Sequence, residues 1–193
     1  MYKLSYHNGN ISKVSKIPDI DDECTSLIGN GRRLVATTKG AIYDCGKEYS
    51  VYQTGLVTWD RRDHEYVTGL IEFNDETFFY SNCSIYKITD DDKVERLLDF
   101  NASYKSTYVS NCHTINDTLF FTVATKVGTS SKNTGVWRYE GSSEGLVRTG
   151  ITESVYDIIS YHGRYFISMS GNKIMWTKDL VNVEAVKNSN IGS

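Results

Sequence analysis

The chain has 193 residues, of which 39% are hydrophobic and 23% charged, with a formal net charge of −3. That length supports one sizeable core or two small ones, and the slightly acidic balance excludes a general nucleic-acid binder, which needs a basic stripe to neutralise phosphates. No apolar run approaches the roughly 20 residues of a membrane-spanning helix, and the start "MYKLSYHNGN" lacks the apolar stretch of a signal peptide.

Fourteen Tyr, 7 Phe and 3 Trp, with many Thr, Ser and Val, favour strands. Residues 1–17 read as a hairpin. The acidic stretch "IPDIDDECT" follows, from Ile17 to Thr25. Its Asp19, Asp21, Asp22 and Glu23 form the kind of carboxylate cluster that calcium takes, but the glycine and distal Glu of an EF-hand loop are missing. The stretch is read as a linker, and no metal is assigned.

Next comes "LIGNGRRLVAT", an apolar segment, an Asn30-Gly31 turn and a β-rich segment. The same grammar returns as "FNDETFF" at Phe73, as "INDTLFF" at Ile115 and as "ISYHGRYFIS" at Ile159. The second turn residues, Gly31, Asp75, Asp117 and Gly163, are spaced by 44, 42 and 46 positions. Asn-Gly and its relatives suit two-residue hairpin turns that need positive φ.

After each β-rich segment stands an apolar-aromatic pair: Ile42-Tyr43, Ile85-Tyr86, Val136-Trp137 and Ile174-Met175. A fourth segment closes each unit: "EYSVYQT", "KVERLLDF", "GLVRTG" and "VNVEAV". Four strands per repeat of about 42–46 residues predict an all-β fold, a small β-propeller. A β-sandwich explains the short strands but not their fourfold grammar. The blades fall at 24–56, 66–100, 108–150 and 154–188 of a single domain. "MYKLSYHNGNISKVSKI" aligns with "SIYKITDDDKVERLLDF" and reads as strands three and four of a preceding half-blade.

The stretch "NGRRLVATTKGAIYDCGKEYSVYQTG" (Asn30 to Gly55) resembles blades of sialidase-like and sensor propellers. "NKIMWTKDLVNVEAV" (Asn172 to Val186) is similar to their Asp-box, with Asp179 in the turn but without the following glycine and tryptophan. The resemblance implies the fold and carries no catalytic residue. In style the blades also resemble propeller domains of phage tails, which serve as interaction platforms.

The four cysteines (Cys24, Cys45, Cys83, Cys112) show no ligand-like spacing, which predicts reduced, partly buried thiols. The four histidines are dispersed. Neither a nucleophile elbow nor a singled-out carboxylate pair appears, so no catalytic residue and no cofactor is assigned. Binding residues are sought in loops that do not repeat. In "LVTWDRRDHEY" (Leu56 to Tyr66), Trp59, Arg61, Arg62 and His64 have hot-spot chemistry. In "VATKVGTSSKNTG" (Val123 to Gly135), an enlarged connection between the second and third strands offers Lys126, Ser130 and Ser131.

The sequence thus predicts a non-catalytic interaction module, cytoplasmic or virion-associated, in an assembly such as a virion or phage tail. Its expected partner is another protein or protomer that completes the half-blade. The alternatives are a lectin-like propeller that takes a surface glycan, and a sialidase-like or other glycoside hydrolase.

Overall fold

The computed structural model describes residues 2–7, 10–16, 23–30, 32–37, 42–44, 55–57, 65–89, 93–100, 107–126, 132–141 and 144–186. Among these residues all regular structure is β. A two-stranded sheet pairs β1 (Tyr2–His7) with β2 (Asn10–Lys16), and four sheets of four strands follow in chain order. The first holds β3 (Cys24–Asn30), β4 (Arg32–Thr37), β5 (Ile42–Asp44) and β6 (Gly55–Val57). The second holds β7 (Val67–Phe73), β8 (Glu76–Ser81), β9 (Ser84–Ile88) and β10 (Val94–Asp99). The third holds β11 (Thr107–Ile115), β12 (Thr118–Thr125), β13 (Gly135–Tyr139) and β14 (Leu146–Arg148). The fourth holds β15 (Val155–Tyr161), β16 (Arg164–Met169), β17 (Lys173–Thr177) and β18 (Glu184–Ala185).

In the first, third and fourth of these sheets every neighbouring pair is antiparallel. Chain contacts group residues 1–81 with 87–95 as one compact unit, and 82–86 with 96–193 as a second.

The turn chemistry explains why the first two strands of a sheet meet where they do. Asn74-Asp75, Asn116-Asp117 and His162-Gly163 all have φ between 47° and 69°. This is the left-handed conformation that two-residue hairpin turns require and that Asn, Asp and Gly tolerate best. The first sheet departs from the pattern. There Asn30 belongs to β3 and pairs with Arg32, so it is a strand residue and not the first residue of a turn. The closing strand of that sheet is β6, Gly55–Val57, which pairs with β5 and directly follows residues 48–54, to which the sequence pointed. Those residues lie outside the described set.

Each of the four first strands also carries an irregularity at one position of the repeat. The register slips between Cys24 and Ser26, between Val67 and Gly69, between Val109 and Asn111, and between Val155 and Asp157. The extra residues are Thr25, Thr68, Ser110 and Tyr156. A bulge bends and twists its strand, so its recurrence means that all four sheets bend alike.

Within the first unit, the backbone N–H of Leu70 on β7 donates to Ser26 Oγ on β3 at 3.0 Å, tying the first strands of neighbouring sheets together. Ile42 and Val67 are fully buried. Glu65 is also buried and accepts the Ser81 hydroxyl, while Lys87 pairs with Glu76.

The second unit builds its core between the third and fourth sheets. Ile115, Phe120 and Val136 meet Val155, Ile158, Ile167 and Met169, with Ile151 and Leu180 from connecting segments and Tyr165 and Met175 alongside. The rings of Phe120 and Tyr165 meet edge to face at 5.9 Å, the geometry that aromatic quadrupoles prefer. Successive residues of a strand point to opposite faces, and β12 is buried at every position after its first, so both of its faces are covered.

Candidate functional site

Of the residues singled out in the sequence, Trp59, Arg61, Arg62 and His64 lie outside the described residues, as do Ser130 and Ser131. Lys126 is described and exposed, immediately after β12. The connection that it opens runs over residues 126–134, against 82–83 and 170–172 in the second and fourth sheets.

The far end of this connection is firmly anchored. Thr134 Oγ1 donates to the Thr152 carbonyl at 2.8 Å, and Trp137 Nε1 donates to the Asn133 carbonyl at 2.9 Å. The Arg148 guanidinium donates to the carbonyls of both Thr134 and Thr152. Gly135 follows with φ +123°, where a Cβ would stand 2.0 Å from the Ile151 carbonyl oxygen. Only glycine fits there, so the loop leaves a rigid base.

A polar seam that the sequence did not disclose joins the first strands of the third and fourth sheets. Ser110, the bulge residue of β11, donates to the Val155 carbonyl at 2.7 Å. Asp157 Oδ1 meets His113 Nε2 at 2.7 Å and accepts from Asn111 Nδ2 at 3.2 Å and from the backbone N–H of Ile158 at 2.8 Å. Three interactions at one oxygen make Asp157 a clamp between strands.

A catalytic base would need to face a nucleophile or a substrate. Cys112 neighbours His113 in sequence, and burial pushes its thiol well above the usual range. A neutral, desolvated thiol is a packing group and a poor nucleophile.

Asp179 organises the turn between β17 and β18. It accepts the backbone N–H groups of Val181 and Asn182, both at 2.9 Å, together with the Asn182 side chain at 2.8 Å and the Thr177 hydroxyl at 3.0 Å. Those donors hold its carboxyl well below the usual carboxylate range, with the Asn182 and Val181 N–H groups the largest causes. The carboxylate thereby holds the turn closed from within. Leu180 takes φ +58° and is buried in the core cluster.

The fourth sheet presents the most chemically distinctive surface. One face carries Ile158, Ile167 and Met175 into the core. By register the other carries Ile159 and Tyr161 on β15, Phe166 on β16, and Ile174 and Trp176 on β17. Ile159 and Tyr161 are 55% and 62% exposed, and Phe166, Ile174 and Trp176 are half-buried. The Arg164 guanidinium lies over the Trp176 ring at 4.5 Å, and Tyr161 packs edge-on against His162 at 4.1 Å. Tyr, Trp and Arg beside exposed aliphatics have the composition of a protein-binding hot spot. Hydrophobic periodicity could have flagged this surface, but the strand pattern alone does not tell a covered face from an open one.

No family model matches the chain, and no curated protein matches its sequence. Among solved structures, YCF48 from Cyanidioschyzon merolae is 10% identical with a TM-score of 0.58, over 96% of this chain and 66% of that one. YCF48 bound to D1 peptide is 11% identical with a TM-score of 0.56, over 89% of this chain and 56% of that one. PorZ, a surface component of the type-IX secretion system of Porphyromonas gingivalis, is 11% identical with a TM-score of 0.60, over 86% of this chain and 22% of that one. The chain therefore spans under two thirds of each. These neighbours have β-propeller-like folds. At such identity the likeness shows the fold alone, and it agrees with the series of four-stranded sheets: the chain is all-β and propeller-like.

Proposed function

We propose that the chain is a non-catalytic β-propeller module of four complete blades and an N-terminal half-blade, which works by binding other protein within a larger assembly. The open aromatic and aliphatic face of the fourth sheet carries this reading, because an exposed apolar patch on a soluble fold marks an interaction site. Peptide binding by one fold neighbour, and membership of a secretion system by another, support it by analogy of fold. The particular form proposed is a virion or tail component, cytoplasmic or virion-associated. In the non-repeating loops, Trp59, Arg61, Arg62, His64, Lys126, Ser130 and Ser131 would add specificity to the contact.

The test sets purified chain against fluorogenic glycosides and sialosides, an immobilised glycan panel, and protein association by light scattering and cross-linking. Protein association without turnover or glycan retention is the expected result. Hydrolysis, or saturable retention on a glycan, would overturn the reading in favour of the hydrolase or the lectin. At the loop site, Trp59→Ala should weaken protein binding by at least about tenfold, the scale of an aromatic hot spot. Unchanged affinity would remove the link from the interface.

A further inference from the structure

The charges on the open face of the fourth sheet restrict what can cover it. Four charged residues lie on β15 to β18: Asp157, Arg164, Lys173 and Glu184. Asp157 is committed to the clamp with His113 and Asn111. Lys173 pairs with Met169, a member of the core cluster, so it belongs to the core side. Arg164 pairs with Tyr161 and Glu184 with Trp176, which puts both on the open side, one on each flank of β17. Both are exposed, and neither has an ion-pair partner among the described residues.

The Arg164 guanidinium lies over the Trp176 ring, in the middle of the aromatic patch. A purely apolar cover would strip Arg164 and Glu184 of water and leave each charge unpaired, which is costly. The cover must therefore be apolar and aromatic, and must bring a carboxylate to Arg164 and a cation to Glu184 across β17. The face itself has this composition and this spacing, turned by half a revolution.

From this self-complementarity we infer that the open face of the fourth sheet binds the same face of a second copy of this chain. A half-turn about an axis in the contact plane, parallel to β17, exchanges the two flanks of that strand. Arg164 of each copy then meets Glu184 of the other, while Ile174 and Trp176 on β17 meet their counterparts. Such a contact is isologous, the commonest kind in homo-oligomers, and it closes at two copies. Hot-spot residues tend to pair with hot-spot residues across an interface, which a patch meeting itself provides. Ile159 and Tyr161 on β15 extend its apolar margin. The inference rests on the interaction-module reading and supplies its partner.

The experiment is sedimentation velocity on the whole chain across micromolar concentrations, with Arg164→Glu, Glu184→Arg and the two substitutions combined. The wild type should run as a dimer. Each single reversal sets like charges against one another at both symmetry-related contacts and should weaken the dimer at least about tenfold. The combined variant restores opposite charges and should recover it. Circular dichroism should be unchanged in all three, since both side chains are exposed. If Arg164→Glu alone disturbs the fold, Glu184→Arg decides. A monomeric wild type overturns the inference, as does a dimer indifferent to the reversal at Glu184 or, where all variants fold, one that the combined variant fails to recover. Any of these failures leaves the interaction-module reading to stand or fall on the glycoside and glycan tests, where turnover or retention sinks it independently.

Discussion

A single side chain can organise a whole turn, as Asp179 does. Its carboxylate gathers two backbone N–H groups, an amide and a hydroxyl around the β17–β18 turn, and those donors lower its pKa. A carboxyl whose folded pKa is depressed contributes stability that is fully present above its unfolded value of about 4 and is lost as pH falls towards the folded value. Asp179→Asn should therefore lower the thermal midpoint at neutral pH, and the gap to wild type should narrow progressively below about pH 4. A gap independent of pH would mean that the charge contributes nothing. Cys112 shows the opposite effect, because burial suppresses its thiolate, while Cys24 is exposed. Iodoacetamide at mildly alkaline pH, read by peptide mapping, should modify Cys24 well before Cys112. Equal labelling would contradict the desolvated setting of Cys112.

At the level of elements, the joint between the third and fourth sheets concentrates the stability of the second unit. Phe120 is buried and faces Tyr165, and truncation to Ala should cost about 3–5 kcal/mol in urea unfolding. Gly135→Ala removes no contact, yet its Cβ would collide with the Ile151 carbonyl from a backbone conformation that L residues avoid. It should be at least as damaging, and a mild effect would show that the 149–152 segment yields easily. These elements were legible in the sequence to different degrees. The Asn-Asp and His-Gly turns could be read because positive φ demands particular residues, and the apolar-aromatic pairs because buried third strands demand bulk. The closing strand at Gly55–Val57 could not, since it is set by pairing with Ile42, Tyr43 and Asp44 and not by a local signal. Nor could the bulges: Thr25, Thr68, Ser110 and Tyr156 all carry a hydroxyl, but such residues are common throughout the chain and do not mark a bulge. The seam of Ser110, His113 and Asp157 was hidden for a third reason: its two sides lie more than forty residues apart, and no local pattern joins them.

For the molecule as a whole, a series of sheets implies energetics that run along the chain. In a repeat array each unit contacts mainly its neighbours, so stability is a sum of local terms and nearest-neighbour interfaces. The core cluster shared by the third and fourth sheets takes its buried members from between Ile115 and Leu180, and Ile167 sits fully buried within it. Ile167→Ala should remove about 2–5 kcal/mol from that core. Amide hydrogen exchange followed by mass spectrometry would show where the loss is felt. Faster exchange is expected in β11–β13 and β15–β17, with β1–β4 keeping their wild-type protection. Faster exchange throughout the chain would instead mean that all the sheets unfold as one cooperative block, and that the interfaces between successive sheets outweigh the stability of each.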